Sequence, residues 1–462
     1  MTELSLIQIA QITGGEFIQG EPFLTFNQYN IDSRLTKNGE LFFAIVAKRD
    51  GHIFVEHAFK KGAKGAVISK RIPIEDKNKG LILVSDTLIA LQELAKKVAS
   101  EHNIKVIGIT GGIGKTTAKE FAAALIEPSF KTLKSEKNFN NYLGLPLTLL
   151  KLQKEHQVVI LEMGMSSRGE IRRLTEIAPP DISVITNINP VHLEFFKDIN
   201  EIALAKKEIL DGTKKDGVAV LNADDPLIMK IQSDFPGNKI YFGLREKAFI
   251  RAANIELKGF SGLSFDLIYG EEKKRILFKA LSHSHLYDLL AALGVTYALN
   301  IKLKDIEEII PTLHPFSMRG TVLALEKNVT LIDDSYNSNP KALEFALRDY
   351  SSLPVRRKIA VLGDMLELGK NSSKFHFQAG EKVSEYGYDW LIAIGEESKK
   401  MIEGALSKGM NSSHLLHFKD SVQAAEYLVN FVQEGDLILV KGSRGIQTEK
   451  IIFKLKEEFS KR

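Results

Sequence analysis

Residues 106–121, VIGITGGIGKTTAKEF, pass from an apolar run through a cluster of glycines to Gly114-Lys115-Thr116-Thr117 and then into a helix-forming segment. KVIGIT reads as a buried parallel strand, because a short apolar run bounded by a glycine turn fits a strand covered on both faces. TTAKEFAAAL reads as a helix. Between them the glycines permit a tight turn that leaves backbone N–H groups facing inward. This order of strand, loop and helix suits phosphate: the amides and the helix N-terminus attract phosphate oxygens, Lys115 reaches the terminal phosphates, and a Thr hydroxyl ligates Mg²⁺. The strict GxxxxGK[ST] pattern requires glycine at 109, where this chain has Ile109, so the match is to the shorter GxxGKTT form. A plain glycine turn with a solvated lysine is the alternative reading.

Outward from the loop, residues 104 to about 310 alternate strand-like runs (VVILEM, ISVITNI, GVAVLN) with helical stretches, the pattern of parallel β-α-β units. Before them, residues 1 to about 85 mix short strand-like runs with turns such as Lys37-Asn38-Gly39, and TLIALQELAKKVASE at 87–101 has the apolar spacing of a bridging helix. Pro311 and Pro315 then punctuate the chain, and a second alternating series follows: VTLIDDSY, KIAVLGD, WLIAIG and DLILVKG. The fold expected is α/β in three domains: a small α/β domain at 1–98, a central doubly wound phosphate-loop domain at 99–313, and a Rossmann-like domain at 314–462.

A chain of 462 residues exceeds what one core supports, which agrees with several domains and a cleft between them. The 62 basic and 58 acidic residues are mixed along the sequence, so no nucleic-acid surface stands out and small-molecule chemistry is favoured. Cysteine is absent, which excludes disulfides, thiol catalysis and Cys-built metal sites. The start, MTELSLIQIAQITGGEF, has no basic leader and no sustained apolar run, and no later segment approaches the ~18 apolar residues of a membrane span. A cytoplasmic protein without membrane insertion is expected.

Further strings lie in a fixed order along the chain: IDSR (31–34), DGH (50–52), NFNNYLGLPLTLL (138–150), LEMGMS (161–166), TNINPVHLEFF (186–196), AKKEIL (205–210), MRG (318–320), IDDSYNSNP (332–340), VLGDMLELG (361–369) and VKGSRG (440–445). With TGGIGKTT they make the chain similar to the Mur ligase family over its whole length. The resemblance implies an ATP-dependent amide ligase that phosphorylates a carboxylate and lets an amine attack the acyl phosphate. Within the family it points to joining D-alanyl-D-alanine to UDP-N-acetylmuramoyl-tripeptide, with ATP and Mg²⁺ as cofactors and a monomer as the working form.

The resemblance also implies roles for individual residues. Gly111, Gly112, Ile113, Gly114, Lys115, Thr116 and Thr117 would hold the β and γ phosphates, with the Thr116 hydroxyl on Mg²⁺. Glu162 ends an apolar run, where a parallel sheet presents groups at its carboxyl edge, and a carboxylate there suits hard Mg²⁺; an ordinary surface acid is the alternative. His192 corresponds to a metal-ligand histidine of the family, although a histidine beside Val191, Leu193 and Phe195 is by itself more often a packed core residue. Lys206, rather than Lys207, aligns with a carbamylated lysine that ligates a second Mg²⁺; on periodicity alone a solvated lysine is the simpler reading. Ser33, Arg34, Asp50 and His52 match the uridine-nucleotide domain, and Asn138, Asn140 and Asn141 offer amides beside the loop, although turns also favour such residues. Arg319, Asp334, Asn337, Lys441, Ser443 and Arg444 would close over ATP and the acyl phosphate, excluding water from a hydrolysable intermediate.

Three departures from the family pattern stand out. Gly112 and Ile113 replace a small polar residue and an Asn, so a side-chain contact to phosphate is lost while the backbone cradle survives. SHSHLYDLLAALG places Ser284, His285 and Asp288 where a His-Asn pair and a later Asn are usual, and His285 substitutes for the missing amide because imidazole also donates or accepts a hydrogen bond. MRGT keeps the Arg-Gly core of an interdomain segment with a changed flank. The competing readings are another Mur-type or folylpolyglutamate-type ligase with a different amine and acceptor, disfavoured by DDSYNSNP and LGDMLELG, and a non-catalytic nucleotide-binding scaffold, in which Glu162, His192 and Lys206 would have no purpose as metal ligands.

Overall fold

A computed structural model of the protein describes residues 3–136, 139–191 and 193–459. Three main sheets succeed one another along the chain. The first has strands in the order Glu16–Gln19, Gly80–Leu83, Gly65–Ile68, Leu41–Phe43, Tyr29–Asn30, parallel except for Glu16–Gln19. The helix Thr87–Ser100 leaves it. Asp86 caps that helix by accepting from the Leu88 and Ile89 N–H groups, and Leu91, Leu94, Ala95 and Val98 form its buried stripe.

The central sheet has nine strands, ordered Glu272–Phe278, Leu263–Tyr269, Ile250–Leu257, Asn238–Gly243, Val218–Asn222, Ile182–Ile185, Lys105–Thr110, Val158–Glu162, Thr132–Lys134. KVIGIT is thus an interior strand, with Val158–Glu162 on one side and Ile182–Ile185 on the other, both parallel to it. The chain moves outward to Thr132–Lys134 before returning past the loop strand, so the strand order reverses there. Such a switch point opens a crevice at the carboxyl ends of the strands. The phosphate-type loop, Glu162 and Thr186 all lie at that edge.

The sequence reading of uniform β-α-β units through residue 310 needs one amendment. Ile250–Leu257, Leu263–Tyr269 and Glu272–Phe278 pair antiparallel, the last two through a tight turn at Gly270, φ +66°. Their alternation of buried and exposed residues marks a sheet covered on one face, unlike the continuously buried Val158–Glu162. The covered face packs with the helices Lys115–Ile126 and His283–Ala298, where Phe121 meets Phe278 edge-on at 5.6 Å between centroids. Each fully buried side chain of that size contributes about 1.5–3 kcal/mol relative to exposure, which fixes the loop helix rigidly against the sheet.

The third sheet runs Thr321–Ala324, Thr330–Asp334, Asp436–Lys441, Arg357–Gly363, Trp390–Ile394, Leu415–Phe418, parallel apart from the first strand. Asp334 and Lys441 are register partners at the carboxyl ends of neighbouring strands. No helix among the described residues is long and apolar enough to cross a membrane.

Candidate active site

The loop is held open by specific contacts. At Gly111 a Cβ would lie 1.9 Å from Thr186 Oγ1, and at Gly114, φ +85°, 1.8 Å from Asp288 Oδ1, so neither position admits a side chain. Asn187 ties the crown of the loop: its main-chain carbonyl accepts from Gly112 N–H, its Oδ1 accepts from Ile113 N–H, and its Nδ2 donates to the Ile113 carbonyl, each at 2.9 Å. The Gly112 and Ile113 amides are therefore engaged by protein. The amides of Lys115, Thr116 and Thr117 open the helix Lys115–Ile126 and have no intrahelical acceptor, and these three residues line the cavity described below. Lys115 Nζ donates to the Gly111 carbonyl at 3.0 Å, and burial lowers its pKa, opposed by nearby Glu162.

Glu162 is buried at the end of its strand with both carboxylate oxygens engaged. Oε2 accepts from Thr116 Oγ1 at 2.9 Å and Oε1 from Asn140 Nδ2 at 3.0 Å. A carboxylate and a hydroxyl in contact, beside a phosphate cradle, are the oxygen donors Mg²⁺ takes when phosphates complete its shell. Among the described residues no group of three His, Asp or Glu gathers to hold a metal by itself.

Lys206 lies on the core-facing stripe of the helix Ile199–Asp211 with Ile202, Ala205 and Ile209, and is buried. Burial first, and the Lys115 charge second, push its pKa well below the ordinary lysine value. Lys207 is the solvent-side residue, paired with Asp211 at 2.8 Å and Asp234 at 3.1 Å. The helix thus turns the first lysine inward and the second outward, against the solvated reading that periodicity alone favoured for Lys206. His192 and Asn138 lie outside the described residues.

A cavity of about 290 Å³ connects the loop to the third sheet. Gly112, Ile113, Gly114, Lys115, Thr116, Thr117, Asn140, Glu162 and His285 line it from the central domain; Arg319, Asp334, Asn337 and Lys441 line it from the other side. Lys441 Nζ donates to Asp334 Oδ2 at 2.7 Å and to the Asn337 carbonyl at 3.0 Å. Arg319 stacks on Tyr336 at 4.0 Å. Ala342, Phe345, Ala346 and Tyr350 also line the cavity. Tyr336, Asn339 and Phe345 were missed from sequence, although the first two stand in IDDSYNSNP and Asn339 caps the helix Pro340–Ser351 that carries Phe345.

His285 lines the cavity and is buried. Its Nε2–H donates to the Arg319 carbonyl at 2.9 Å, so the ring bridges the central domain to the interdomain segment, and Nδ1 is buried without a partner among the described residues. Ser443 Oγ accepts from Leu366 N–H at 2.9 Å, joining two loops of the third domain, while Arg444 is exposed and paired with Glu449 at 3.1 Å. Asn141 Oδ1 accepts from Leu143 and Gly144 N–H groups, which makes it a turn former. These three residues do not line the cavity, nor does Lys206.

Ser33 and Arg34 follow the strand Tyr29–Asn30, Asp50 and His52 follow Leu41–Phe43, and none of the four lines the cavity. His52 is buried, its Nδ1–H donating to Asp50 Oδ1 at 2.6 Å and its Nε2 accepting from Ser69 N–H at 2.8 Å. Asp50 is held well below the usual carboxylate range, first by Lys70 and then by the His52 N–H. Ser33 Oγ contacts His57 Nδ1 at 2.9 Å, and the exposed Arg34 pairs with Asp32. Exposed Leu35, Val46 and Ile53 adjoin them in sequence.

Asp288 stands against Gly114 with its carboxyl buried and pushed well above the usual range by desolvation, with Arg319 and Lys115 acting against the shift. Because the folded-state pKa exceeds the unfolded one, stability tied to this proton is complete below about pH 4 and is lost as pH rises toward the folded value. Asp288→Asn supplies a neutral group at every pH. The variant is expected to unfold at a higher temperature than the parent near neutral pH, by about 1–3 kcal/mol of stability, with the gain vanishing in acid. Equal unfolding midpoints at neutral pH would contradict it.

Comparison with known proteins bears on the same regions. Residues 109–296 match the family model described as Mur ligase middle domain, and 318–444 that described as Mur ligase, glutamate ligase domain. The UDP-N-acetylmuramoyl-tripeptide–D-alanyl-D-alanine ligase of Buchnera aphidicola is 33% identical with 100% of both chains covered, and that of Bacillus subtilis is 33% identical with 91% of each covered. Among solved structures, MurF from Acinetobacter baumannii superposes with TM-score 0.89 at 27% identity, covering 99% of each chain. MurF ligase from Thermotoga maritima in complex with ADP gives TM-score 0.82 at 27% identity, covering 93% of this chain and 97% of that one.

Proposed function

The chain belongs to the Mur ligase family, and from that premise we propose that it is the ATP-dependent ligase that adds D-alanyl-D-alanine to UDP-N-acetylmuramoyl-tripeptide, giving the pentapeptide precursor of peptidoglycan. The observation that carries this reading is the continuous cavity in which the loop and Glu162 face Arg319, Asp334 and Lys441 across two domains. The division of labour follows the chain: residues 1–98 hold the uridine nucleotide through Ser33, Arg34, Asp50 and His52, 99–313 hold ATP, and 314–462 close over the reacting groups. The protein acts as a monomer.

The tripeptide carboxylate attacks the γ-phosphorus and ADP departs, leaving an acyl phosphate. The dipeptide amine then attacks the acyl carbon, forms the amide bond and releases inorganic phosphate together with the amine proton. For this chemistry the chain's task is positioning and charge neutralisation. Lys115 and the first-turn amides hold the terminal phosphates, and Arg319 and Lys441 supply positive charge from the opposite wall. Mg²⁺, held by Thr116 and Glu162, would neutralise phosphate charge, and His192 and carbamylated Lys206 would serve a second ion. Burial lowers the Lys206 pKa well below the ordinary lysine value, which favours the neutral amine, the form whose nitrogen lone pair adds CO₂. Domain closure excludes water from the acyl phosphate.

The test is an assay with ATP, Mg²⁺, UDP-N-acetylmuramoyl-tripeptide and D-alanyl-D-alanine, each omitted in turn. Phosphate release that requires all four, with a pentapeptide product by mass, is expected. Release indifferent to the dipeptide would refute the assignment of the amine.

A further inference from the structure

Lys119 is buried one helical turn beyond Lys115, yet it does not line the cavity. Burying an ammonium costs several kcal/mol unless its donors are met, so a position that could hold Met holds a cation for a reason. Its Nζ donates to the Ser135 carbonyl at 2.6 Å and lies 3.1 Å from Glu120 Oε1, while Glu120 also pairs with Lys134 at 2.6 Å. The loop helix is thereby clamped to the end of the strand Thr132–Lys134.

Ser135 is itself gripped from three sides. Its N–H donates to the Ile160 carbonyl at 2.9 Å, its carbonyl takes Lys119, and its Oγ accepts from Glu162 N–H at 3.2 Å. Two tethers from one helix therefore converge on Glu162: Thr116 holds the carboxylate directly, and Lys119 holds the backbone through Ser135. The chain beyond Ser135 leads to Asn140, which takes the other carboxylate oxygen and whose carbonyl accepts from Gly164 N–H at 2.7 Å.

We propose that Lys119 is a positioning residue whose buried ammonium, acting through Ser135, fixes the orientation in which Glu162 meets the Mg²⁺ of a bound nucleotide. This rests on the reading of Glu162 as the metal carboxylate. Residues behind a metal ligand typically govern metal affinity by 10–100-fold, roughly, by holding the ligand in place.

The test measures binding of a non-hydrolysable ATP analogue by calorimetry, with Mg²⁺ and with EDTA. In Lys119→Met the metal-free affinity is expected within about twofold of the parent, while the enhancement by Mg²⁺ falls at least tenfold, roughly. Ser135→Ala, which keeps the carbonyl and loses Oγ, is expected to weaken the enhancement as well. The double variant should do no worse than the more affected single one, since both act along one path. The proposal is overturned if folded Lys119→Met keeps the full Mg²⁺ enhancement, or loses metal-free affinity by the same factor. Should Lys119→Met fail to fold, an unchanged enhancement in Ser135→Ala overturns it instead. Glu162→Gln separates the two levels: if it retains the Mg²⁺ enhancement, the metal reading beneath the proposal fails, whereas loss in Glu162→Gln alone defeats only the role of Lys119.

Discussion

Lys115→Ala is expected to reduce ATP-dependent formation of the pentapeptide by roughly 10³-fold or more, the scale on which pre-placed charge at a reacting group acts. Lys115 is the cation of the loop itself, and its one hydrogen bond among the described residues is to the Gly111 carbonyl. Removing it leaves the loop's own anchors intact, because Gly112 and Ile113 are held by Asn187 and Thr186 Oγ1 also donates to the Ile113 carbonyl at 2.6 Å. The loss should therefore appear in catalysis and nucleotide affinity rather than in folding. Product measured by mass against time decides it; formation at the parental rate would defeat the phosphate-cradle argument.

Lys206→Ala is expected to lower turnover by about 100-fold or more while the fold is retained. The physical ground is that Lys206 is buried with no acidic partner among the described residues, and its pKa is pushed well below the ordinary value by desolvation and by Lys115. The folded chain thus binds fewer protons at this site than the unfolded chain between the two pKa values. Stability tied to it is complete above the unfolded value, about 10.4, and is lost as pH falls toward the folded one. Below the unfolded value the burial of this lysine is a cost to folding, so Lys206→Met, which also fills the space, should unfold at or above the parental temperature. A carbamylated lysine further predicts that depletion of CO₂ lowers parental activity and leaves the variant's residual rate unchanged. Normal turnover in Lys206→Ala would sink the ligand assignment.

The loop and its neighbours were readable from sequence because strand, glycine turn and helix are local patterns. KVIGIT, VVILEM and DLILVKG all form strands, and the helix expected at 87–101 runs Thr87–Ser100. The antiparallel strands from Ile250 to Phe278 were missed because the reading carried one rhythm across a region where burial changes from both faces to one. Inside the site, what escaped was pairing over long separations. His285 meets the Arg319 carbonyl, Asp288 meets Gly114, and Lys119 meets Ser135; no spacing along the chain announces these contacts. Lys206 shows the intermediate case. Its helix periodicity was legible, but which of two adjacent lysines turned inward depended on the sheet the helix packs against.

The central claim is that the cavity couples ATP to the carboxylate through an acyl phosphate. The direct measurement supplies UDP-N-acetylmuramoyl-tripeptide with isotopically heavy oxygen in its terminal carboxylate and reads the mass of the inorganic phosphate released. One heavy oxygen in that phosphate is predicted, because the bond broken in the second step joins the acyl carbon to the bridging oxygen. Phosphate free of label, formed alongside normal product, would contradict the account.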